Sequence, residues 1–330
     1  MDWTALSGAL ALALAGFGMQ ERDPGNAADP ETAATGDPDT EEFTETLILE
    51  RDSNQRLTVP VTIMGQGPFD FMVDTGAQAT VLSEDLATQL ELFDREPALL
   101  IGMASSRMVE TTIVPEFALG ERIFTIRQAP IVDGANIGSA DGILGLDSLQ
   151  NQRVLLDFRN RRMTVSESFE AGGANGYDIV VRARERLGQL IIHRARIDGV
   201  STAVLIDTGA SGSIGNLALQ RRLRNRPALE DATMTDVNGV AVTSETRIAR
   251  SLRMGEMQIT NFPVSFAASP TFTHLGLEDE PAMILGMNEL RMFRRVAIDF
   301  RERRILFEFP DELTTDQAWN FNDRATRLHD

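Results

Sequence analysis

The sequence predicts an all-β protein built from two lobes with the same plan. Runs rich in Val, Ile, Phe and Thr recur between turns that contain Gly, Asp or Asn, which is typical of strands. Helical periodicity is scarce after the first twenty residues. A set of short motifs also occurs twice, in the same order, in halves of similar size. The chain has 330 residues, of which 42% are hydrophobic, so each half can bury a core of its own.

The internal repeat consists of four landmarks that each half carries in the same order. In the first landmark an apolar run leads into Asp-Thr-Gly-Ala, and the third landmark is Ile-Leu-Gly. The paired ranges are 71–77 with 204–210, 119–121 with 254–256, 143–145 with 284–286, and 154–159 with 296–301. One Asp-Thr-Gly is no more than a turn signal. Two copies that share the same downstream landmarks indicate two equivalent lobes.

The first twenty residues have the pattern of a leader segment. Residues 4–19 form an apolar run about as long as the core of a signal peptide, and a small-residue pattern ends at Ala15. The first basic residue is Arg22, so the positive charge usual at the start of a signal peptide is missing. The run is too short for a comfortable membrane span. We therefore expect residues 1–20 to be a signal peptide or a short anchor, with weak membrane association through 4–19, and the protein to be periplasmic or secreted.

Composition divides the rest of the chain. Residues 21–42 are rich in Asp, Glu, Ala, Thr, Gly and Pro and offer no large apolar side chain, so we expect a disordered acidic linker. A Gly-rich break at 171–176 separates the two halves. The predicted divisions after the linker are an N-terminal lobe at 43–172, a C-terminal lobe at 173–310 and a tail at 311–330.

The composition also excludes several kinds of site. The formal net charge is −18, and no basic stripe is available to neutralise a phosphate backbone, so we expect no nucleic-acid partner. The chain has no cysteine and therefore no disulfide, thiolate nucleophile or cysteine-based metal site. Its three histidines, His193, His274 and His329, are too scattered in the sequence for a zinc site. We expect no metal and no cofactor.

The two copies of Asp-Thr-Gly-Ala, at 74–77 and 207–210, resemble the catalytic loops of the aspartic peptidases, and within that clan those of the retropepsin-like branch. The resemblance covers about residues 45–310. It implies the bilobal acid-protease-like fold, in which two β-barrel lobes are related by a pseudo-twofold axis and enclose a cleft. Retropepsins supply one such loop per subunit and work as homodimers. A fused pair of loops therefore implies that a monomer is sufficient for activity.

The sequence departs from the pepsin pattern at two places. Ala77 and Ala210 stand where many pepsin-like enzymes place a hydroxyl residue, and alanine is the retropepsin choice. The chain's one tyrosine, Tyr177, is far in the sequence from the first predicted flap. The resemblance therefore implies a retropepsin-like site without the flap tyrosine of pepsins.

The resemblance assigns catalysis to Asp74 and Asp207. Two carboxylates within a few ångströms of each other cannot both ionise, so the pair shares a proton, and one member acts as base while the other acts as acid. In the family such a pair activates a water that attacks the scissile carbonyl, and no covalent intermediate forms. The implied activity is that of an aspartic endopeptidase acting on extended polypeptide segments.

The neighbouring residues have supporting roles in the family. The threonines exchange hydrogen bonds across the lobes, and the glycines after them allow a tight turn whose N–H groups face the carboxylates. The glycines of Ile-Leu-Gly let that strand pass close behind each loop, which is packing rather than catalysis. The loop residues are Thr75, Gly76, Ala77, Thr208, Gly209 and Ala210, and the packing glycines are Gly145 and Gly286. Strand-end threonines and ordinary turns are the simpler alternatives.

Each lobe should also carry a flap, a hairpin that closes over a bound peptide and pairs with it by strand addition. Residues 101–107 and 236–241 lie at suitable distances after the two aspartates, and Asn-Gly in the second range is a strong hairpin signal. The candidate flap residues are Gly102, Ala104, Ser105, Asn238 and Gly239. Ordinary surface hairpins are the alternative.

Two rival functions are compatible with parts of the sequence. A noncatalytic peptide-binding protein could keep the bilobal cleft for recognition, but it gains nothing from bringing two like charges together. A structural or carbohydrate-binding β-sandwich does not explain the ordered repeat. We therefore expect a polypeptide to be the partner of the cleft.

Overall fold

The computed structural model describes residues 12–14, 44–51, 57–166, 174–310 and 325–327. Strands make up 53% of the structure and helices 12%. Across these ranges, no helix combines the length and the apolar character needed to cross a bilayer. The prediction of an all-β protein is confirmed.

The described residues of the first half are mainly strand, with one short helix, α1 at Glu84–Gln89, and 3₁₀ turns at Gly134–Ile137 and Leu146–Ser148. Its strands are β1 Leu12–Leu14, β2 Thr44–Ile48, β3 Glu50–Arg51, β4 Leu57–Ile63, β5 Gln66–Val73, β6 Val81–Ser83, β7 Glu96–Ile101, β8 Ser106–Leu119, β9 Arg122–Val132, β10 Gly142–Leu144, β11 Arg153–Asp157 and β12 Arg162–Ser166.

The second half repeats this pattern and, within its described residues, has three short helices, α2 Leu217–Leu223, α3 Pro270–His274 and α4 Met287–Leu290. Its strands are β13 Ile179–Arg182, β14 Arg184–Arg186, β15 Gln189–Ile197, β16 Val200–Ile206, β17 Ile214–Gly215, β18 Ala232–Thr235, β19 Ala241–Ser244, β20 Thr246–Met254, β21 Met257–Phe266, β22 Ala282–Leu285, β23 Arg295–Asp299, β24 Arg304–Glu308 and β25 Ala325–Arg327.

Six strands of the first half close into a barrel in the order β4, β5, β10, β6, β9 and β8, and β8 pairs again with β4. The short strand β10 lies parallel to β5, with Ile143 opposite Met72, and antiparallel to β6. Phe71 and Phe117, both fully buried, meet edge to face at 5.3 Å between ring centroids in the barrel core. The Ile-Leu-Gly strand therefore runs directly beside the strand that leads to Asp74.

The second half closes in the same way, in the order β15, β16, β22, β17, β21 and β20, with β20 pairing back to β15. Here β22 lies parallel to β16, with Ile284 opposite Leu205, and antiparallel to β17. The second Ile-Leu-Gly strand thus occupies the same place beside the strand that leads to Asp207. The sequence repeat corresponds to two barrels of one topology, which confirms the bilobal acid-protease-like fold.

A third sheet joins the lobes, with its strands in the order β13, β24, β23, β11, β12 and β2. Its centre is the antiparallel pair β11 and β23, which are equivalent strands of the two lobes. Leu155 faces Ala297 in this pair, and on either side an arginine of one strand faces an aspartate of the other. This register places the pseudo-twofold relation at the middle of a continuous sheet, so the two lobes share one hydrogen-bonded structure.

Two hairpins stand in the ranges predicted for the flaps. In the first, β7 and β8 pair with Ile101 opposite Ser106. In the second, β18 and β19 pair with Thr235 opposite Ala241. We name these hairpins the first flap and the second flap.

The predicted leader 1–20 and acidic linker 21–42 lie outside the described residues, apart from Leu12–Leu14, which pairs with β7. The tail is described only at Ala325–Arg327, which pairs with β21. The predicted break between the lobes, 171–176, begins inside an interval, 167–173, that is not described, and its last three residues, 174–176, form a turn. The domain boundaries therefore stay predictions.

Candidate active site

The two Asp-Thr-Gly loops have the same geometry. Asp74 follows β5 and its N–H donates to Leu144 O at 3.1 Å, while Asp207 follows β16 and its N–H donates to Leu285 O, also at 3.1 Å. Each Ile-Leu-Gly strand therefore fixes the backbone of the aspartate beside it. The repeat of motifs in the sequence becomes a repeat of hydrogen bonds in the site.

In each loop one carboxylate oxygen is held by the backbone. Asp74 Oδ1 accepts hydrogen bonds from the N–H groups of Gly76 at 2.8 Å and Ala77 at 3.0 Å. Asp207 Oδ1 accepts the equivalent pair, from Gly209 at 2.7 Å and from the alanine after it at 3.1 Å. The tight turn after each threonine is what points these amides at the carboxylate. Each Oδ2 atom, by contrast, receives no hydrogen bond from any donor in the described part of the chain other than the partner acid.

The two carboxyl groups are buried and interact with each other. Asp74 is 0% exposed and Asp207 is 1% exposed. Burial, then the charge of Asp207, then a hydrogen bond between the two side chains hold the pKa of Asp74 well above its usual range. Burial also raises the pKa of Asp207 to about 6, against the lowering effect of the hydrogen bonds from Asp74 and from the two amides. The pair therefore holds a proton at pH values where isolated aspartates are ionised.

The threonines of the two loops join the lobes directly behind the carboxyl groups. The N–H of Thr75 donates to Thr208 Oγ1 at 3.1 Å, and the N–H of Thr208 donates to Thr75 Oγ1 at 3.2 Å. Each hydroxyl in turn donates to a backbone carbonyl of the opposite lobe, Thr75 to Ile206 O and Thr208 to Val73 O. Both side chains are buried. This reciprocal network fixes the separation and orientation of the two Asp loops.

Gly145 and Gly286 lie where the chain leaves no room for a side chain. A Cβ on Gly145 would stand 2.4 Å from the carbonyl group of Ala79, and a Cβ on Gly286 would stand 2.4 Å from Gly212 O. Both neighbours are backbone atoms. The structure therefore places these glycines in close packing against the backbone that follows each Asp loop.

Four further residues support the loops, and their role was not predicted from the sequence: Thr80, Asp147, Ser213 and Glu289. Gly145 N donates to Thr80 Oγ1 at 3.2 Å, and this hydroxyl donates to Asp147 Oδ1 at 2.6 Å. The second lobe repeats the arrangement, since Gly286 N donates to Ser213 Oγ at 3.2 Å and Ser213 donates to Glu289 Oε2 at 2.5 Å. A hydroxyl residue six positions after each aspartate was a signal that could have revealed Thr80 and Ser213.

The candidate flap residues of the two hairpins lie against one another. Ala104 and Ser105 of the first flap hydrogen-bond to Asp236 at the start of the second flap's turn. Asn238 Nδ2 donates to Ser105 Oγ at 3.0 Å, and Gly102 is so close to Asp236 that a Cβ there would meet its carboxylate. Gly239 lies against Asn136 of the N-terminal lobe. The structure has a hairpin in each predicted range, and the contact between the two hairpins was not predicted from the sequence.

Among the described residues, no group of three or more His, Cys, Asp or Glu side chains is arranged so that it could hold a metal ion. Of the two described histidines, His193 lies on β15 and His274 lies at the end of α3.

Comparison with known families agrees with this geometry. Two barrels that meet at a buried pair of Asp-Thr-Gly loops define the bilobal acid-protease class. Residues 59–151 match the family model described as gag-polyprotein putative aspartyl protease, and residues 193–288 match the family model described as aspartyl protease. No curated protein sequence matches the chain. The chain thus belongs to the aspartyl protease family and carries two of its domains in tandem, as a two-lobed, retropepsin-like aspartic peptidase does.

Proposed function

We propose that the protein is an aspartic endopeptidase that hydrolyses peptide bonds of extended polypeptide segments. Asp74 and Asp207 activate the attacking water between their carboxyl groups. The observation that carries this proposal is the pair itself. One chain supplies both carboxyl groups, and each lobe presents its group on an equivalent loop. Because both groups are buried, the pKa of each is raised, which favours a proton shared between them. Such a pair holds a base and an acid side by side, which is what hydrolysis of an amide requires.

The hydrogen bonds of the two loops suit a division of labour within each carboxyl group. The Oδ1 atoms are occupied by two backbone amides each, which fixes the plane of both groups. The Oδ2 atoms receive no hydrogen bond from a donor in the described residues outside the pair, and they are the atoms left for chemistry. The ionised member takes a proton from a water as that water attacks the scissile carbonyl, and the protonated member donates to the carbonyl oxygen.

The second half of the reaction uses the same two groups in reverse. The carboxyl group that gained a proton from water gives it to the departing amine as the C–N bond breaks. The other carboxylate takes a proton back from a hydroxyl of the tetrahedral intermediate, so the dyad returns to its singly protonated state. No covalent bond forms between enzyme and substrate. The threonine network contributes by holding both carboxyl groups in one geometry throughout the cycle, which avoids the cost of reorganising them.

A noncatalytic peptide-binding protein is the competing function. Against it stands the cost of burying two acids in contact, because desolvation and mutual repulsion both disfavour the ionised pair. A cleft that only binds a peptide gains nothing from burying the two acids together. Either function takes a polypeptide, so the experiment must measure bond cleavage and not only binding.

The direct test is digestion of an unstructured casein by the purified full-length protein, with and without a pepstatin-like inhibitor. We expect fragments from the wild type, none in the presence of the inhibitor, and none from Asp74→Asn. Asp94→Asn, which changes an exposed aspartate of the same lobe, is the matched control and should cleave as the wild type does. Binding of casein without cleavage by the wild type across pH 4 to 8 would favour the peptide-binding protein instead.

A further inference from the structure

The two flaps are tied together by one carboxylate. Asp236 begins the turn of the second flap, and its Oδ2 accepts hydrogen bonds from two groups of the first flap, Ala104 N at 3.1 Å and Ser105 Oγ at 2.7 Å. These partners lie more than 130 residues away in the sequence and in the other lobe. We name the contact of Asp236 with Ala104 and Ser105 the flap latch.

The other oxygen of the same carboxylate orders the second flap itself. Asp236 Oδ1 accepts from Asn238 N at 3.1 Å and from Val240 N at 2.9 Å, while the backbone N–H of Asp236 donates to Val240 O. Asp236 is fully buried. One side chain therefore uses all of its acceptor capacity on the two flap turns, two bonds to each, and both turns depend on it.

The apolar residues at the two tips cross to the opposite lobes. Met103 of the first flap is 1% exposed and packs in the apolar cluster of the C-terminal lobe that includes Ala210. Val237 of the second flap is 0% exposed and packs in the cluster of the N-terminal lobe that includes Ala77. Each tip thus lies in the apolar region of the facing Asp loop, and the flaps hold both lobes closed.

Further hydrogen bonds fix the first flap against the C-terminal lobe. Ser269 Oγ donates to Met103 Sδ at 3.3 Å, and Thr271 Oγ1 donates to Gly102 O at 3.2 Å. Asp74 and Asp207 are almost without exposed surface in this arrangement. A polypeptide cannot reach carboxyl groups that solvent does not reach, so the flaps must separate before a substrate enters.

We propose that Asp236 is a positioning residue that controls the opening and closing of the two flaps. The flap latch stabilises the closed arrangement, and its two bonds to the first flap break each time the cleft opens. Because these bonds join flap to flap and not flap to Asp loop, they can form again above a bound polypeptide. The consequence for turnover rests on the proposed peptidase function, whereas the latch itself is a property of the free protein.

The absence of cysteine from the chain permits a direct measurement of flap opening. Met103→Cys places one thiol at a buried flap tip, and its rate of reaction with a maleimide reports how often the tip becomes accessible. In this background we expect Asp236→Ala to raise the labelling rate by about tenfold or more, the effect of losing a hydrogen bond to a charged group. Asp231→Asn, at an exposed aspartate just before the same hairpin, should leave the rate unchanged.

Two further variants separate flap opening from loss of fold. Val154→Cys, which places the thiol in the sheet between the lobes, should react no faster when Asp236 is changed. Ser105→Ala should raise the labelling rate at position 103 on its own but add nothing in the Asp236→Ala background, because the serine acts through that carboxylate. The same rate with and without Asp236, or independent effects of the two changes, would overturn the proposal.

The labelling experiment does not depend on catalysis. If casein is not cleaved but Asp236→Ala still accelerates labelling, the peptidase proposal fails and the latch stands. For an active enzyme, a pepstatin-like inhibitor should both associate and dissociate faster with Asp236→Ala, since the variant favours the open flaps before and after binding. Unchanged rates in both directions would show that the flaps do not limit access to the dyad.

Discussion

The side-chain oxygen of Thr208 lies 3.1 Å from the backbone nitrogen of Thr75, and the reverse contact closes at 3.2 Å. Each threonine also donates to a carbonyl of the other lobe. Four hydrogen bonds thus connect the two lobes within the loops that carry the carboxyl groups. Stability and catalysis are coupled here, because the atoms that hold the lobes in register also set the separation of the acids.

We expect Thr75→Val to destabilise the protein and to impair cleavage. Valine keeps the branched shape but leaves Thr208 N and Ile206 O without their partner, at about 1–3 kcal/mol for each buried group. Thr75→Ser keeps the hydroxyl and should cost much less. Chemical denaturation measures the difference, and Thr233→Val, at an exposed threonine, should lie within about 0.5 kcal/mol of the wild type. Equal stability of the valine and serine variants would contradict the assigned network.

Replacing either acid of the dyad should abolish cleavage and stabilise the fold at neutral pH. Asp74→Asn and Asp207→Asn each remove the ability to hold base and acid together, so we expect the rate to fall by at least about a hundredfold. Each also removes one of two buried, interacting acids. Substantial turnover by either variant would rule out a shared-proton mechanism.

The sign of the stability change follows from the raised pKa values. For an acid whose pKa is higher in the folded state, the stabilisation is fully present below the unfolded value of about 4 and is lost as the pH rises through the folded value. For Asp207, whose folded pKa is about 6, the loss is on the order of 3 kcal/mol by pH 8. Melting temperatures at pH 4 and pH 8 should therefore differ more for the wild type than for Asp207→Asn.

The rate of cleavage should rise with pH near pH 6. Burial raises the pKa of both acids; at low pH the dyad carries two protons and lacks a base, whereas at high pH it carries none and lacks an acid. A hydroxyl at positions 77 and 210 could donate to the ionised carboxylate, so Ala77→Ser combined with Ala210→Ser should move the acidic limb to lower pH. Profiles of both proteins on one peptide, with folding checked by circular dichroism, decide this. An unmoved acidic limb would show that other groups control the titration.

Gly145→Ala should displace the first Asp loop. The new methyl group would stand 2.4 Å from the carbonyl carbon and oxygen of Ala79. Both are backbone atoms, so they cannot move aside as the end of a flexible side chain can. We expect a cost of about 1–3 kcal/mol and a large loss of activity. Gly134→Ala provides the comparison, because its Cβ would meet only Ser83 Cβ at an ordinary 3.5 Å. If both variants cleave casein equally well, close packing behind the loop is not needed for catalysis.

Much of the fold could be predicted because it is encoded twice. The repeat of Asp-Thr-Gly-Ala and Ile-Leu-Gly predicts two equivalent lobes, and the parallel pairs β5 with β10 and β16 with β22 are the structural form of that repeat. The two flaps could be placed from their distance to each aspartate. Short motifs of this kind can be recognised in a single sequence because their residues are neighbours along the chain.

The rest depends on contacts between distant parts of the chain. Asp147 stands two positions after Gly145, whereas Glu289 stands three positions after Gly286. An alignment of the two halves therefore does not place these carboxylates at the same position, although each accepts a hydrogen bond from the equivalent hydroxyl residue of its lobe. The bond from Ser105 to Asp236 spans 131 residues and joins different lobes. No periodicity or motif reports such a pair, and burial of a polar group becomes visible only when the lobes are assembled.

The presence of both lobes in one chain has a consequence at the flap tips. Gly102 precedes Met103 as Asp236 precedes Val237, so glycine and aspartate occupy equivalent positions, and a Cβ on Gly102 would stand 2.5 Å from Asp236 Oδ2. In a homodimer of identical subunits, glycine at both positions would supply no carboxylate, and aspartate at both would force two side chains into space that accommodates one. Only two copies that mutate independently can acquire this unequal pair. A symmetric dimer rebuilt from either half alone would therefore lose the carboxylate bridge between its flaps even if it recovered both Asp-Thr-Gly loops.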